Sequence, residues 1–148
     1  MPELDFMIVA DYVRAEGGVL HMIAAGFDTI YTPAVPAVRQ AGVGMRITMS
    51  PAEARHEHDI ELVYQDADGG RLTQINAKWA PQPGQPTSPP GTRPGVAIAF
   101  NLQLPVPAFG RFSLELLIDH VQKKSIDITV SQPPPGFPGT PSLPAGHA

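Results

Sequence analysis

The chain has 148 residues, 43% hydrophobic and 16% charged, with 18 prolines, 14 glycines, no cysteine and a formal charge of −4. That length is one domain, able to bury about 70% of the unfolded chain's surface without disulfides or a structural metal. Without cysteine, thiol nucleophiles, zinc ribbons and iron–sulfur clusters are excluded, and ten scattered Lys and Arg offer no cationic stripe for nucleic acid.

Glu3 and Asp5 stand where a secretory signal needs positive charge, and the apolar run from Phe6 to Ala10 is too short to span a bilayer. The expectation is a cytoplasmic protein with no membrane insertion. Residues 6–14 and 19–25 are nearly continuous apolar runs flanking Ala15-Glu16-Gly17-Gly18, which predicts a hairpin of strands covered on both sides or central in a sheet. Pairing Arg14 with Val19 would set Tyr12 opposite His21, beside Asp11, as a small hydrogen-bonded network holding register. Gly42-Val43-Gly44 fails as a nucleotide loop because a strand, not a helix, follows it.

Val43, Met45, Ile47 and Met49 then alternate with polar residues, as do Ile60, Leu62 and Tyr64, and Thr73, Ile75, Ala77 and Trp79. Between the last two sets, Asp66-Ala67-Asp68-Gly69-Gly70 predicts a hairpin turn; the spacing lacks the closing glutamate of a calcium loop. The clearest alternation places Val96, Ile98, Phe100, Leu102 and Leu104 on one face. Phe112, Leu114, Leu116 and Ile118 follow, with Leu117 as an exception, and then Ile126, Ile128 and Val130.

About eight strands joined by turn chemistry make the class all-β, and a sheet with one apolar face must find a second layer. The predicted architecture is a two-layer antiparallel β-sandwich over residues 1–131, its shared dry interior including Ile60, Leu62, Phe100, Leu116 and Ile128. Twelve of the prolines fall in two stretches, a Pro-rich loop at 81–95 and a Pro-rich C-terminal tail at 132–148, predicted extended or disordered.

The opening Met1-Pro2-Glu3-Leu4-Asp5-Phe6-Met7-Ile8-Val9-Ala10-Asp11, the Gly-Gly hairpin ahead of residues 20–26 and the closing residues 112–130 resemble an uncharacterised family of small bacterial proteins. Pro105-Val106-Pro107 ahead of Gly110-Arg111-Phe112-Ser113-Leu114-Glu115-Leu116 is similar to the penultimate hairpin of many immunoglobulin-like sandwiches. The resemblance covers roughly residues 1–131. It implies an immunoglobulin-like fold and no chemistry.

His56-Glu57-His58-Asp59 is the most chemical-looking stretch, since residues two apart on a strand point the same way and His56 and His58 could share a metal, joined by His21 or His120. The plainer expectation is a solvated strand end, with no cofactor. Neither GxSxG nor HExxH is present, so catalysis is not expected. Tyr64 and Trp79 share the inward period of their strands, whereas Tyr31, near Pro33 and Pro36, is the freer aromatic for a small ligand or glycan. The tail Pro133-Pro134-Pro135-Gly136-Phe137-Pro138 carries one large apolar anchor, Phe137, and Arg93 is the single charge in the Pro-rich loop. These features favour a non-catalytic interaction module working through protein contact or self-association, with exposed strand edges, Phe137 and Arg93 as partner-binding elements. A glycan-binding sandwich is the alternative and a His-based metal enzyme the weaker one.

Overall fold

A computed structural model describes residues 1–84 and 89–136. Among the described residues ten strands run in chain order: β1 (Glu3–Ala10), β2 (Tyr12–Glu16), β3 (Val19–Ile23), β4 (Thr29–Tyr31), β5 (Ala37–Thr48), β6 (His58–Asp66), β7 (Arg71–Trp79), β8 (Gly95–Val106), β9 (Gly110–Ile118) and β10 (Val121–Ser131). A single 3₁₀ turn, Glu53–Arg55, precedes β6. No helix among the described residues is long and apolar enough to cross a membrane.

The strands form the expected two layers. One sheet has the order β1-β5-β8 and the other β4-β10-β9-β6-β7. All main pairings are antiparallel except β4, which lies parallel to β10. Period-two alternation decides what fills the space between them. Ala41, Val43, Met45 and Ile47 of β5 point inward and meet Ile60, Leu62 and Tyr64 of β6, Leu114, Leu116 and Ile118 of β9 and Ile128 of β10. Of the predicted interior residues, Ile60, Leu62, Leu116 and Ile128 are fully buried, and Phe100 is half-buried against the same cluster. Tyr64 lies wholly inside, its ring stacked on Phe112 at 5.5 Å. Burial pushes its phenol up to about 12, and its hydroxyl has no hydrogen-bond partner among the described residues.

The N-terminal third departs from expectation. Residues 6–14 are two strands, because Asp11 interrupts them and gives its N–H to the Ile23 carbonyl at 2.9 Å. β1 is an edge strand rather than a central one, and β2 and β3 form a separate two-stranded sheet. Gly17 and Gly18 both adopt positive φ, so these two residues alone make the turn and leave Ala15 and Glu16 in the strand. The register is therefore Tyr12 opposite Ile23, Arg14 opposite His21 and Glu16 opposite Val19. The Asp66–Gly70 turn forms as predicted, with the Asp66 carboxylate accepting from the N–H groups of Asp68 and Gly70 at 3.0 and 2.8 Å.

Candidate functional site

The β2–β3 hairpin owes its position to glycines. On β5, Ala41, Val43 and Met45 face the core, which turns Gly42 and Gly44 to the outer side of the three-stranded sheet. A Cβ at Gly42 would lie 2.7 Å from the Val13 nitrogen, and one at Gly44 would lie 3.0 to 3.2 Å from Val13, Met22 and Leu20. The hairpin thus seats its inner face directly on bare backbone. Asn101 of β8 completes the seat by behaving as a length of strand: its Oδ1 accepts from the Val13 N–H at 3.1 Å and its Nδ2 donates to the Val13 carbonyl at 2.7 Å. Val13 is completely buried as a result.

At the base of the hairpin, the Asp11 carboxylate pairs with Arg39, whose guanidinium lies 5.5 Å from the centre of the Phe27 ring. The network expected around Asp11 exists, with Arg39 in place of Tyr12 and His21. Val13, Leu20 and Met22 face the glycine floor, so alternation turns Tyr12, Arg14, Val19, His21 and Ile23 outward. Three of these are large apolar residues exposed by 45% (Tyr12), 55% (Val19) and 62% (Ile23). They form a small amphipathic platform on a fixed support.

A second cluster lies at the end of β6. His58 is buried, not part of a solvated strand end, and both ring nitrogens are occupied: Nδ1 contacts the Asp119 carboxylate at 2.7 Å and Nε2 the Glu53 carbonyl at 2.7 Å. Burial alone would lower its pKa, but those two bonds and the facing carboxylates together raise it above the ordinary 6.5. For Asp119, burial opposes ionisation, and bonds from His58 and the Asp59 N–H outweigh it, holding the carboxyl below its usual value. His56 lies outside the strand and is exposed, so the shared strand face expected of His56 and His58 does not form. Among the described residues no group of three or more histidines and carboxylates is placed to hold a metal.

Asp119 and His120 both have positive φ, forming the tight β9–β10 turn that carries His120 over the outer face of the five-stranded sheet. Its ring contacts Glu61 at 2.7 Å and Asp59 at 3.4 Å, beside an open groove of about 430 Å³ that Gln74, Asn76 and Lys78 also line.

Arg93, expected to face a partner, is bound within the chain. It pairs with Glu53 at 3.3 Å and Glu3 at 3.7 Å and donates to the Met1 and Thr48 carbonyls. Glu53 itself is held down at about 2 by the Met1 amino group, the Ser50 N–H and Arg93. Ser50 and Glu53 bond reciprocally, Ser50 N to Oε2 at 2.7 Å and Glu53 N to Oγ at 3.2 Å. This is a capping box whose Ser50-Pro51-Ala52-Glu53 spacing could have been read from the chain.

Tyr31 ends β4, at the edge of the five-stranded sheet, and is 39% exposed. Tyr12 is on the hairpin, Tyr64 is in the core and Trp79 packs 6.1 Å from His58. Phe137 lies outside the described residues.

The model of a family of unknown function, DUF6941, matches residues 5–131, which span both sheets and the hairpin. The chain belongs to that family. No curated protein matches it. Among solved structures it is similar to the C-terminal domain of wzt, with a TM-score of 0.48, 11% identity and coverage of 88% of this chain and 74% of that one. It is also similar to an immunoglobulin-like protein from Pseudomonas aeruginosa, with a TM-score of 0.42, 12% identity and coverage of 88% and 97%. Likeness this remote says nothing about chemistry.

Proposed function

We propose that the chain is a non-catalytic module that docks on a protein partner through the outward face of the β2–β3 hairpin. The observation that carries this reading is the exposure of Tyr12, Val19 and Ile23 together on a hairpin whose other face is immobilised over Gly42, Gly44 and Asn101. Apolar and aromatic side chains held on a rigid support, with the Arg14–His21 row between the Tyr12–Ile23 row and Val19, lose little entropy on docking and match the composition of binding hot spots. A non-catalytic role is supported by the commitment of both His58 nitrogens to Asp119 and a backbone carbonyl, with no hydroxyl nucleophile at either.

The test is site-specific photo-crosslinking in the native cell. Probes at Tyr12 and Ile23 should each yield one discrete adduct to the same protein, while a probe at Gln74 on the opposite sheet should not. Equal labelling from all three positions, or none from the hairpin, would remove this reading.

A further inference from the structure

Four strands end the two main sheets, and three are protected against pairing with another chain. β1 carries Glu3 and Asp5 and shifts register between Leu4 and Phe6. β4 is three residues long, and β7 carries Arg71 and Lys78. Charges, irregular register and short length are the usual defences of an edge strand. β8 has none of these over its twelve residues from Gly95 to Val106, with Pro105 as its only interruption.

Its side chains are also incompletely covered. On β5, the cross-strand partners Val43, Met45 and Ile47 are fully buried, whereas Phe100, Ile98 and Val96 opposite them are only half-buried. Among the described residues, β8 pairs with β5 alone and apolar surface remains at its other edge.

We propose that this edge takes a second copy of the chain, β8 pairing antiparallel with β8 to join two three-stranded sheets into one of six strands. This goes beyond the hairpin reading and does not depend on it. Self-complementarity selects the occupant: no charged side chain lies on β8 from Gly95 to Val106, so a second copy offers it an equally uncharged row and none of the charge on either copy falls on the paired strands. Face parity selects the register. Core-facing residues of β8 are even-numbered, so like faces align only if the two-fold axis passes through a residue. Pro105 has no N–H and ends the useful run at Leu104, which centres the ladder on Phe100. Phe100 then faces the partner's Phe100, Ile98 the partner's Leu102, Val96 the partner's Leu104 and Ala97 the partner's Gln103.

Sedimentation equilibrium of the full chain tests this. The wild type should approach twice 15.8 kDa with rising concentration. The pair Ala97→Lys with Gln103→Lys sets like charges opposite each other twice, and Ala97→Glu with Gln103→Lys sets opposite ones. The former should dissociate roughly tenfold more readily than the latter. Since the chain lacks cysteine, Ala97→Cys with Gln103→Cys gives a second readout. Directly paired strand residues fall within disulfide reach, so mild oxidation should yield a covalent dimer even if the lysine variant folds poorly. A wild type that stays monomeric at millimolar concentration overturns the inference, as do equal dissociation of the two charge pairs or failure to cross-link. A dimer abolished by Tyr12→Ser with Ile23→Ser, yet indifferent to charge at 97 and 103, would move self-association to the hairpin and also overturn it.

Discussion

The two outer faces of this sandwich are built on opposite principles. The five-stranded sheet presents long polar side chains that satisfy one another: Gln65 donates to Glu115 at 3.1 Å, Arg71 to Gln74 at 2.9 Å, Gln74 to Asn76 at 3.0 Å, and His120 rests on Glu61. Their stems help cover Val63, which points outward yet is 2% exposed. The three-stranded sheet instead clears its face with Gly42 and Gly44 and covers it with a hairpin, whose own outer side is then apolar. One face is finished by solvent and the other has a second element laid across it. This asymmetry is what supports proposing a docking surface on the hairpin side.

The largest effect should come from filling the glycine floor. Gly42→Val adds side-chain volume where a Cβ already stands 2.7 Å from backbone nitrogen, so the hairpin must lift or β5 must shift. The expected loss is about 3 kcal/mol in urea denaturation, with faster amide exchange at Val13. Hairpin amides that stay protected would contradict this account of the floor. Asn101→Ala comes next. It strips the Val13 N–H and carbonyl of the side-chain amide that bonds both and should cost about 2 kcal/mol, whereas Gln74→Ala on the polar face should stay within about 0.5 kcal/mol.

These two positions also mark what could be read from the chain alone. The alternation in residues 43–49, 60–64, 96–104, 112–118 and 126–130 follows from a half-buried strand needing one apolar face, and there the interior came out as expected. Gly42 and Gly44 carried no such signal, because a glycine that admits another backbone is indistinguishable in sequence from one that serves a turn. Asn101 looked like an ordinary outward polar residue. β4 is too short to show a period, and its parallel partner β10 lies about a hundred residues away in sequence, where no local pattern can report the pairing. His58 was misread as solvated since its cover, Asp119 and the 3₁₀ turn, arrives from elsewhere in the chain.

The part-buried His58–Asp119 pair makes the comparison pH-dependent. His58 has a folded pKa above its ordinary 6.5, so its contribution is complete below that value and fades as pH rises through the raised one. Asp119 is shifted down from 3.8, so its contribution is complete above that and fades as pH falls through the lowered one. The pair therefore stabilises most between roughly pH 4 and 6.5. There, His58→Gln should cost about 1.5 kcal/mol, and the gap from wild type should narrow toward pH 9. A constant gap from acid to alkali would mean that His58 is never protonated in the fold. Inside the core, Tyr64→Phe should raise stability by up to about 1 kcal/mol, because the buried hydroxyl finds no partner among the described residues while the ring keeps its stack on Phe112. A loss of stability would show that the hydroxyl is satisfied after all.

The smallest effect belongs to the solvent-finished face. His120, whose side chain is 74% exposed, meets Glu61 at 2.7 Å, and a polar contact so open to water competes with solvent and carries the entropy of holding a mobile ring. Glu61→Gln should therefore shift stability by less than about 0.5 kcal/mol and leave crosslinking from the hairpin unchanged. A cost above about 1 kcal/mol would mean that this face is organised as tightly as the glycine-floored one. The contrast between a face finished by water and one covered by a hairpin would then no longer support the proposed docking at the hairpin.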